Sequence, residues 1–142
     1  MRFAENCLKV YLPSLSINEA MARNAVASFV AQLNPSLEEI SDIKCAVSEA
    51  VTNSIVHGYK YSCGVIYIGV KYFSDRRVVI EVADKGCGIE NVSVAMTPLY
   101  TTDTSGERSG MGFAIMQGFM DKLVVKSKLG HGVRVLMTKQ LK

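Results

Sequence analysis

The sequence predicts an α+β fold, a two-layer sandwich in which helices cover one face of a mostly antiparallel, mixed sheet. Three observations predict it. Two runs of β-forming residues, 64–73 and 77–83, are separated only by Ser74-Asp75-Arg76, which reads as a hairpin. A second pair of short strands, 123–128 and 133–138, flanks a turn at Gly130-His131-Gly132. The order of elements is strand, helix, helix, two strands, loop, helix, two strands, and hairpins in place of strict β–α alternation argue against a parallel sheet.

Each element has its own signal. Residues 7–12 (CLKVYL) alternate and read as a strand. Ser16-Ile17-Asn18-Glu19 has the pattern of a capping box and opens a helix to about Leu33, where Asn34-Pro35 breaks it. Ser36-Leu37-Glu38-Glu39 is a second capping box and opens a second helix, which Gly58 closes as a left-handed terminal residue. Residues 84–112 hold five of the eleven glycines and read as loop. A third helix runs from about Gly112 to Lys122, with Met111, Met116 and Met120 as packing residues.

Composition narrows the function classes. The chain has 142 residues, 49% hydrophobic and 20% charged, enough for one globular domain over 1–142 with a sizeable core. Its net charge of +3, from 16 basic and 13 acidic residues, is too mild for direct nucleic-acid binding, and no basic run with interleaved aromatics is present. No run of about 18 apolar residues suggests a membrane span, and the N-terminus is too polar for a signal peptide. Cys7, Cys45, Cys63 and Cys87 form no C-x-x-C pair, so a zinc site is not expected. Free thiols without an export signal point to the cytoplasm.

The second helix carries Glu49, Asn53 and His57 at steps of four residues. At about 3.6 residues per turn this stacks them on one face, with Val47, Val51 and Ile55 nearly opposite. The polar row is either the wet side of an amphipathic helix or the wall of a site. Asp84-Lys85-Gly86-Cys87-Gly88 follows a strand. It reads as a tight turn, or as a carboxylate placed to accept from an adenine amino group, with glycines admitting close backbone approach. Gly110-Met111-Gly112-Phe113 opens an apolar helix, where free N–H groups can cradle phosphate. Neither a P-loop nor a G-x-G-x-x-G fingerprint occurs. The stretch 97–110 is a surface loop or a lid over a nucleotide, with Arg108 near the terminal phosphate.

In order, the motifs are E-x-x-x-N at 49–53, D-x-G-x-G at 84–88, G-x-G at 110–112 and G-H-G at 130–132. This set resembles the GHKL ATPase/kinase superfamily, whose ATP-binding domain is the Bergerat fold. SDIKCAVSEAVTNSIVHGY and ERSGMGFAIMQGFMD are similar to the anti-sigma F family, small serine kinases of spore-forming bacteria. The likeness spans nearly the whole chain, including Arg23.

The resemblance implies a dimeric protein that binds a sporulation sigma factor when loaded with ATP and phosphorylates an anti-anti-sigma protein on serine; the strand 7–12 is a candidate dimer contact, because exposed sheet edges pair readily. It makes Glu49 the general base and gives Asn53 to Mg²⁺. Asp84 would read adenine, with Gly86 and Gly88 shaping that pocket, and Gly110 and Gly112 would lie beneath the phosphates. Arg108 would face the γ-phosphate or a partner, Arg23 would contact a partner, and the ATP lid would span about 90–110. His57 is either a helix-end histidine near terminal carbonyls or a site residue. Cys87 is incidental.

One departure stands out: the family usually has threonine where Val133 follows Gly132. A lost neutral hydrogen bond is worth about 1 kcal/mol, so affinity for ATP would fall several-fold. Alternatives are an ATP-gated sigma-binding module without phosphotransfer, a histidine-kinase-type catalytic domain, and a simple ATP hydrolase. Glu49 argues against the first, because a module needing only Mg-ATP has little need for a base.

Overall fold

The computed structural model describes residues 3–96 and 112–142. Its strands are β1 (Asn6–Pro13), β2 (Val65–Tyr72), β3 (Arg77–Asp84), β4 (Lys122–Ser127) and β5 (Val133–Gln140). Its helices are α1 (Asn18–Val30), α2 (Leu37–Asn53), a short α3 (Val92–Ala95) and α4 (Gly112–Phe119). The sheet order is β1-β2-β3-β5-β4, and all four pairings are antiparallel.

The two layers follow from strand alternation. Ile66, Ile68 and Val70 of β2 pair with Asp84, Val82 and Ile80 of β3, and these residues share the buried face. Val26 and Val30 of α1, Ile43, Val47 and Val51 of α2 and Met116 of α4 pack over them. Each such side chain contributes about 1.5–3 kcal/mol when fully buried. The opposite face carries Lys9, Tyr11, Tyr67, Lys71, Glu81 and Arg134, so among the described residues one face alone is covered. The row Val47, Val51, Ile55 is core, as its spacing predicts, and Glu49, Asn53 and His57 are half-buried on the other side.

Only one of the two capping boxes forms. Ser36 Oγ accepts from the Glu39 N–H at 3.0 Å, and Glu39 Oε1 accepts from the Ser36 N–H at 2.9 Å. At α1 the expectation fails: Ser16 makes no side-chain cap, and residue Ile17 precedes the helix in a helical conformation. Glu19 is drawn elsewhere, because its carboxylate holds the Arg23 guanidinium at 2.9 Å and accepts from Ser48 Oγ on α2. Backbone bonds close the first turn instead, from the N–H groups of Asn18 and Glu19 to the carbonyls of Leu15 and Ser16. The far end of the helix tightens into a 3₁₀ turn, Ala31–Leu33, and stops at Asn34 with φ 52°.

The end of α2 also differs from expectation. Gly58 is not its left-handed residue. The helix widens into a π turn, Ser54–Gly58, in which the Tyr59 N–H reaches the Ser54 carbonyl at 2.8 Å. The left-handed residues come later, at Lys60 (φ 51°) and Tyr61 (φ 64°). Gly58 is needed for space: a Cβ there would lie 3.0–3.1 Å from the Asp84 carboxylate. Single-turn π segments inside helices often mark functional positions, and this one faces the end of β3.

Two further boundaries shift. The loop after β3 contains α3, capped by Asn91 Oδ1, which accepts from the Val94 N–H at 3.1 Å. Helix α4 ends at Phe119, because Lys122 already begins β4.

Candidate functional site

Two ends of one cavity can be built from these elements. It holds about 490 Å³, within the range of small-molecule sites. Ala50, Asn53, Ser54 and His57 wall it from α2 and the π turn, Asp84, Cys87 and Gly88 from β3 and its loop, and Val133 and Val135 from β5. Ile89, Asn91, Val94 and Ala95 close another side, with Gly112 and Phe113 at the start of α4.

At the first end, Asp84 is 7% exposed and its carboxylate is surrounded by donors. Ser54 Oγ donates to Oδ2 at 2.7 Å, and the Gly86 N–H donates to Oδ1 at 2.9 Å. Burial pushes the Asp84 carboxyl above its ordinary value, and the bonds from Ser54 and from the Gly86 and Val133 backbone pull against that rise. Glycines let three backbone segments meet here. The Cys87 N–H donates to the Gly58 carbonyl at 2.9 Å, and a Cβ on Gly86 would fall 2.2 Å from that same oxygen. Gly132, at φ 89°, passes so close to β3 that a Cβ would lie 2.0 Å from the Asp84 carbonyl oxygen. The last hairpin is tied to the loop after β3 by Ser127, whose Oγ accepts from the Ile89 N–H and donates to the Gly132 carbonyl, both at 2.7 Å.

At the second end, α4 begins against the polar row of α2. A Cβ on Gly112 would lie 2.9 Å from Asn53 Nδ2, 3.1 Å from Asn53 Oδ1 and 3.3 Å from Glu49 Oε2. Glu49, Asn53 and the first residue of α4 therefore meet at one point. Among the described residues lining the cavity, Asn53 is present and Glu49, one turn back, is not.

Most of the sequence-predicted residues thus come together: Glu49, Asn53, Asp84, Gly86, Gly88 and Gly112. His57 lines the cavity. Cys87 does too, with its thiol donating to the His57 carbonyl at 3.1 Å. Arg108 and Gly110 lie outside the described residues, as does the 97–110 stretch of the expected lid. Arg23 is not in the cavity wall; it is held on α1 by Glu19, with Ser48 Oγ at 3.5 Å. Sequence reasoning missed Ser54 and the α3 wall. Ser54 offered one signal, a hydroxyl between Asn53 and the apolar Ile55-Val56, where a helix core would take an aliphatic residue.

The model of the histidine kinase-like ATPase domain family matches residues 12–139. The anti-sigma F factor of Clostridium botulinum (strain Eklund 17B / Type B) is 53% identical over 137 residues, covering 96% of this chain and 95% of that protein. The anti-sigma F factor of Clostridium acetobutylicum is 50% identical over 136 residues, covering 96% and 94%. The chain belongs to the anti-sigma F family of histidine kinase-like ATPase domains. Among solved structures, the RsbU and RsbW domains of a Mycobacterium tuberculosis protein share its fold, with a TM-score of 0.69 at 19% identity over 96% of this chain and 32% of that one.

Membership in the anti-sigma F family makes this chain an anti-sigma factor built on a kinase-type ATPase domain, and ATP binding comes with the domain. The cavity suits that ligand. A buried carboxylate among Ala50, Val133 and Val135 fits a flat base carrying an amino group, and the N-terminus of α4 at the other end fits negative charge. Among the described residues no helix is long and apolar enough to cross a membrane.

Proposed function

We propose that this chain is an ATP-dependent protein serine kinase that also holds a sporulation sigma factor in its ATP-loaded state. Its substrate would be an anti-anti-sigma protein, phosphorylated on serine. The observation that carries the reading is the meeting of Glu49 and Asn53 at the first residue of α4. Phosphoryl transfer needs in-line positioning and charge neutralisation more than covalent chemistry. A base and a metal-binding amide one helical turn apart, facing a helix N-terminus, supply both.

In this reading Asp84 accepts from the adenine amino group, and Gly86 and Gly88 keep that wall thin. Gly110 and Gly112 lie beneath the phosphates, and Arg108 meets the γ-phosphate or the docked partner. Asn53 gives its side-chain oxygen to Mg²⁺, and Glu49 takes the proton of the attacking serine hydroxyl. Among the described residues no group of three or more His, Cys, Asp and Glu side chains could hold a metal by itself. A single amide oxygen suits Mg²⁺, which keeps several waters and binds phosphate oxygens, and the bound ion would neutralise developing phosphate charge.

The partner-facing residue is Arg23, presented from α1 by Glu19. The protein would work as a homodimer in the cytoplasm, with β1, an edge of the sheet, as one contact. The whole chain, 1–142, would be one ATP-binding kinase domain with its lid over about 90–110.

The test mixes the protein with Mg-[γ-³²P]ATP and candidate anti-anti-sigma proteins and maps the label. Labelled serine on one of them is the expected result. ATP-dependent capture of a sigma factor with no transferred label would leave a binding module in place of a kinase.

A further inference from the structure

Ser54 has no place in the roles assigned so far, yet its surroundings are unusual for a serine. It is 5% exposed and begins the π turn at the end of α2. A serine on a helix ordinarily bonds back to its own helix or faces water. Ser54 instead donates across the layer interface to Asp84 Oδ2, at 2.7 Å. Among the described residues lining the cavity it carries the only hydroxyl, since Val133 on the β5 wall is apolar.

The bond fixes what Asp84 can offer a ligand. An ionised carboxylate only accepts, and each of its oxygens has a second lone-pair site. One donor, Ser54, occupies a site on Oδ2, and the Gly86 N–H occupies a site on Oδ1. The remaining capacity is acceptor capacity. Adenine presents an amino donor at the position where guanine presents a carbonyl acceptor. A protonated Asp84 would carry a donor of its own and would fit guanine better.

We propose that Ser54 is a positioning residue for base selection: its hydroxyl holds the Asp84 carboxylate as an acceptor and thereby sets the preference for ATP over GTP. The proposal rests on the ATP reading of the cavity. It goes beyond that reading in giving the selectivity to a pair of groups, one on each layer of the fold.

The neighbourhood supports it. Among the described residues, the titratable groups that share a cavity wall with Asp84 are His57, Tyr59 and Lys60 after α2, Lys85, Cys87 and Glu90 after β3, Lys126, Lys128, His131 and Arg134 at the last hairpin, and Tyr11 and Tyr67 on β1 and β2. The influences on the Asp84 carboxyl are nevertheless burial and the hydrogen bonds from Ser54, Gly86 and Val133, with no neighbouring charge among them. Of the three bonds only the one from Ser54 comes from a side chain, and only it can be removed by substitution.

The test compares wild-type protein with Ser54→Ala. Calorimetry gives ATP and GTP affinities from pH 8 down to 5.5, and ¹³C NMR follows the Asp84 carboxyl in ligand-free protein. In the variant, ATP affinity falls about three- to ten-fold near neutral pH, the size of one hydrogen bond. The loss grows toward acid pH, GTP affinity changes little, and Asp84 titrates at higher pH than in wild type. Equal losses for ATP and GTP at every pH would make Ser54 a packing residue and overturn the proposal, as would unchanged affinities. If the alanine variant does not fold, Ser54→Cys has nearly the same shape and a much weaker donor, and moves both readouts in the same direction. Wild-type protein that bound neither nucleotide would overturn the ATP reading. An unshifted Asp84 titration in the variant overturns the Ser54 inference alone.

Discussion

The two ends of the cavity are built differently. Around Asp84, glycines bring backbone against backbone: added Cβ atoms on Gly86 and Gly132 would fall 2.2 Å and 2.0 Å from carbonyl oxygens. Around Gly112 the nearest neighbours are the ends of side chains, Asn53 at 2.9 Å and Glu49 at 3.3 Å. Hydrogen-bonded backbone cannot give way without breaking its bonds, whereas side chains turn. The Asp84 end is therefore a rigid template, suited to recognising an invariant flat base. The Glu49 end is adjustable, as the proposed transfer of a proton and a phosphoryl group requires.

The largest expected effect falls on the adjustable end. Glu49→Gln keeps the shape and removes the basicity. Transfer to serine should drop by about 10²–10⁴-fold, the usual share of a general base. ATP binding and ATP-dependent sigma capture should survive, because the rigid end is untouched. Transfer and capture measured on one preparation decide it: unchanged transfer removes Glu49 as the base, and joint loss of both makes it a nucleotide-positioning or structural residue.

Glycine substitutions test the rigidity directly. Gly132→Ala puts a Cβ into the Asp84 carbonyl at φ 89°, where side chains are strained whatever the space. A stability loss of about 1–3 kcal/mol or more is expected, with ATP binding lost alongside. The nearest described neighbours of a Cβ in Gly112→Ala are side-chain atoms, so thermal stability should hold while transfer falls as Asn53 is displaced. Melting curves that shift equally for the two variants would erase the distinction between the ends.

The rigid end should also show itself in pH. The folded-state Asp84 carboxyl is raised above its ordinary 3.8, chiefly by burial. ATP binding should then weaken as pH falls through that raised value, because the protonated form cannot accept from the amino group at the oxygen that carries the proton. Stability runs the other way: a raised carboxyl makes the ionised form the costlier one, so folding loses free energy as pH rises from 3.8 through the folded-state value. Asp84→Asn should bind ATP about ten-fold or more weakly, leaving a buried polar group mismatched at about 1–3 kcal/mol. It should also flatten the acid limb of the binding profile.

The same contrast explains what the sequence made legible. Helical spacing gave Glu49 and Asn53 a common face, because a helix is a local ruler, and strand alternation with hairpin turns gave the layers. Asp84 and its glycines were visible as a motif. Their contacts were not, because Gly58, Gly86 and Gly132 come from three separate segments and meet only through tertiary packing. Ser54 was hidden for that reason: its partner is 30 residues away. The reading of Gly58 as a left-handed cap failed because a glycine required for space looks the same in sequence as one required for positive φ. The α1 cap failed because Ser48, from another helix, competes for Glu19.

The smallest expected effect concerns α2, the one element that carries residues of both ends. Ser36 caps it, and Glu39 completes the box while also accepting from the Lys142 N–H at 2.8 Å. Backbone bonding to Ser36 chiefly holds the Glu39 carboxyl below its ordinary 4.5, so its contribution to stability is present above that value and fades as pH falls through the lower folded-state one. Ser36→Ala should cost about 1 kcal/mol, seen as a few degrees in the melting temperature. Ser16→Ala, at the box that does not form, should cost much less. Neither change should alter ATP affinity or transfer, because α2 is already fixed in the core by Ile43, Val47 and Val51 before it reaches Asn53. If Ser36→Ala slows transfer while ATP affinity holds, the adjustable end draws its geometry from the whole helix. The division between a template and a reaction end would then rest on α2 as much as on the glycines.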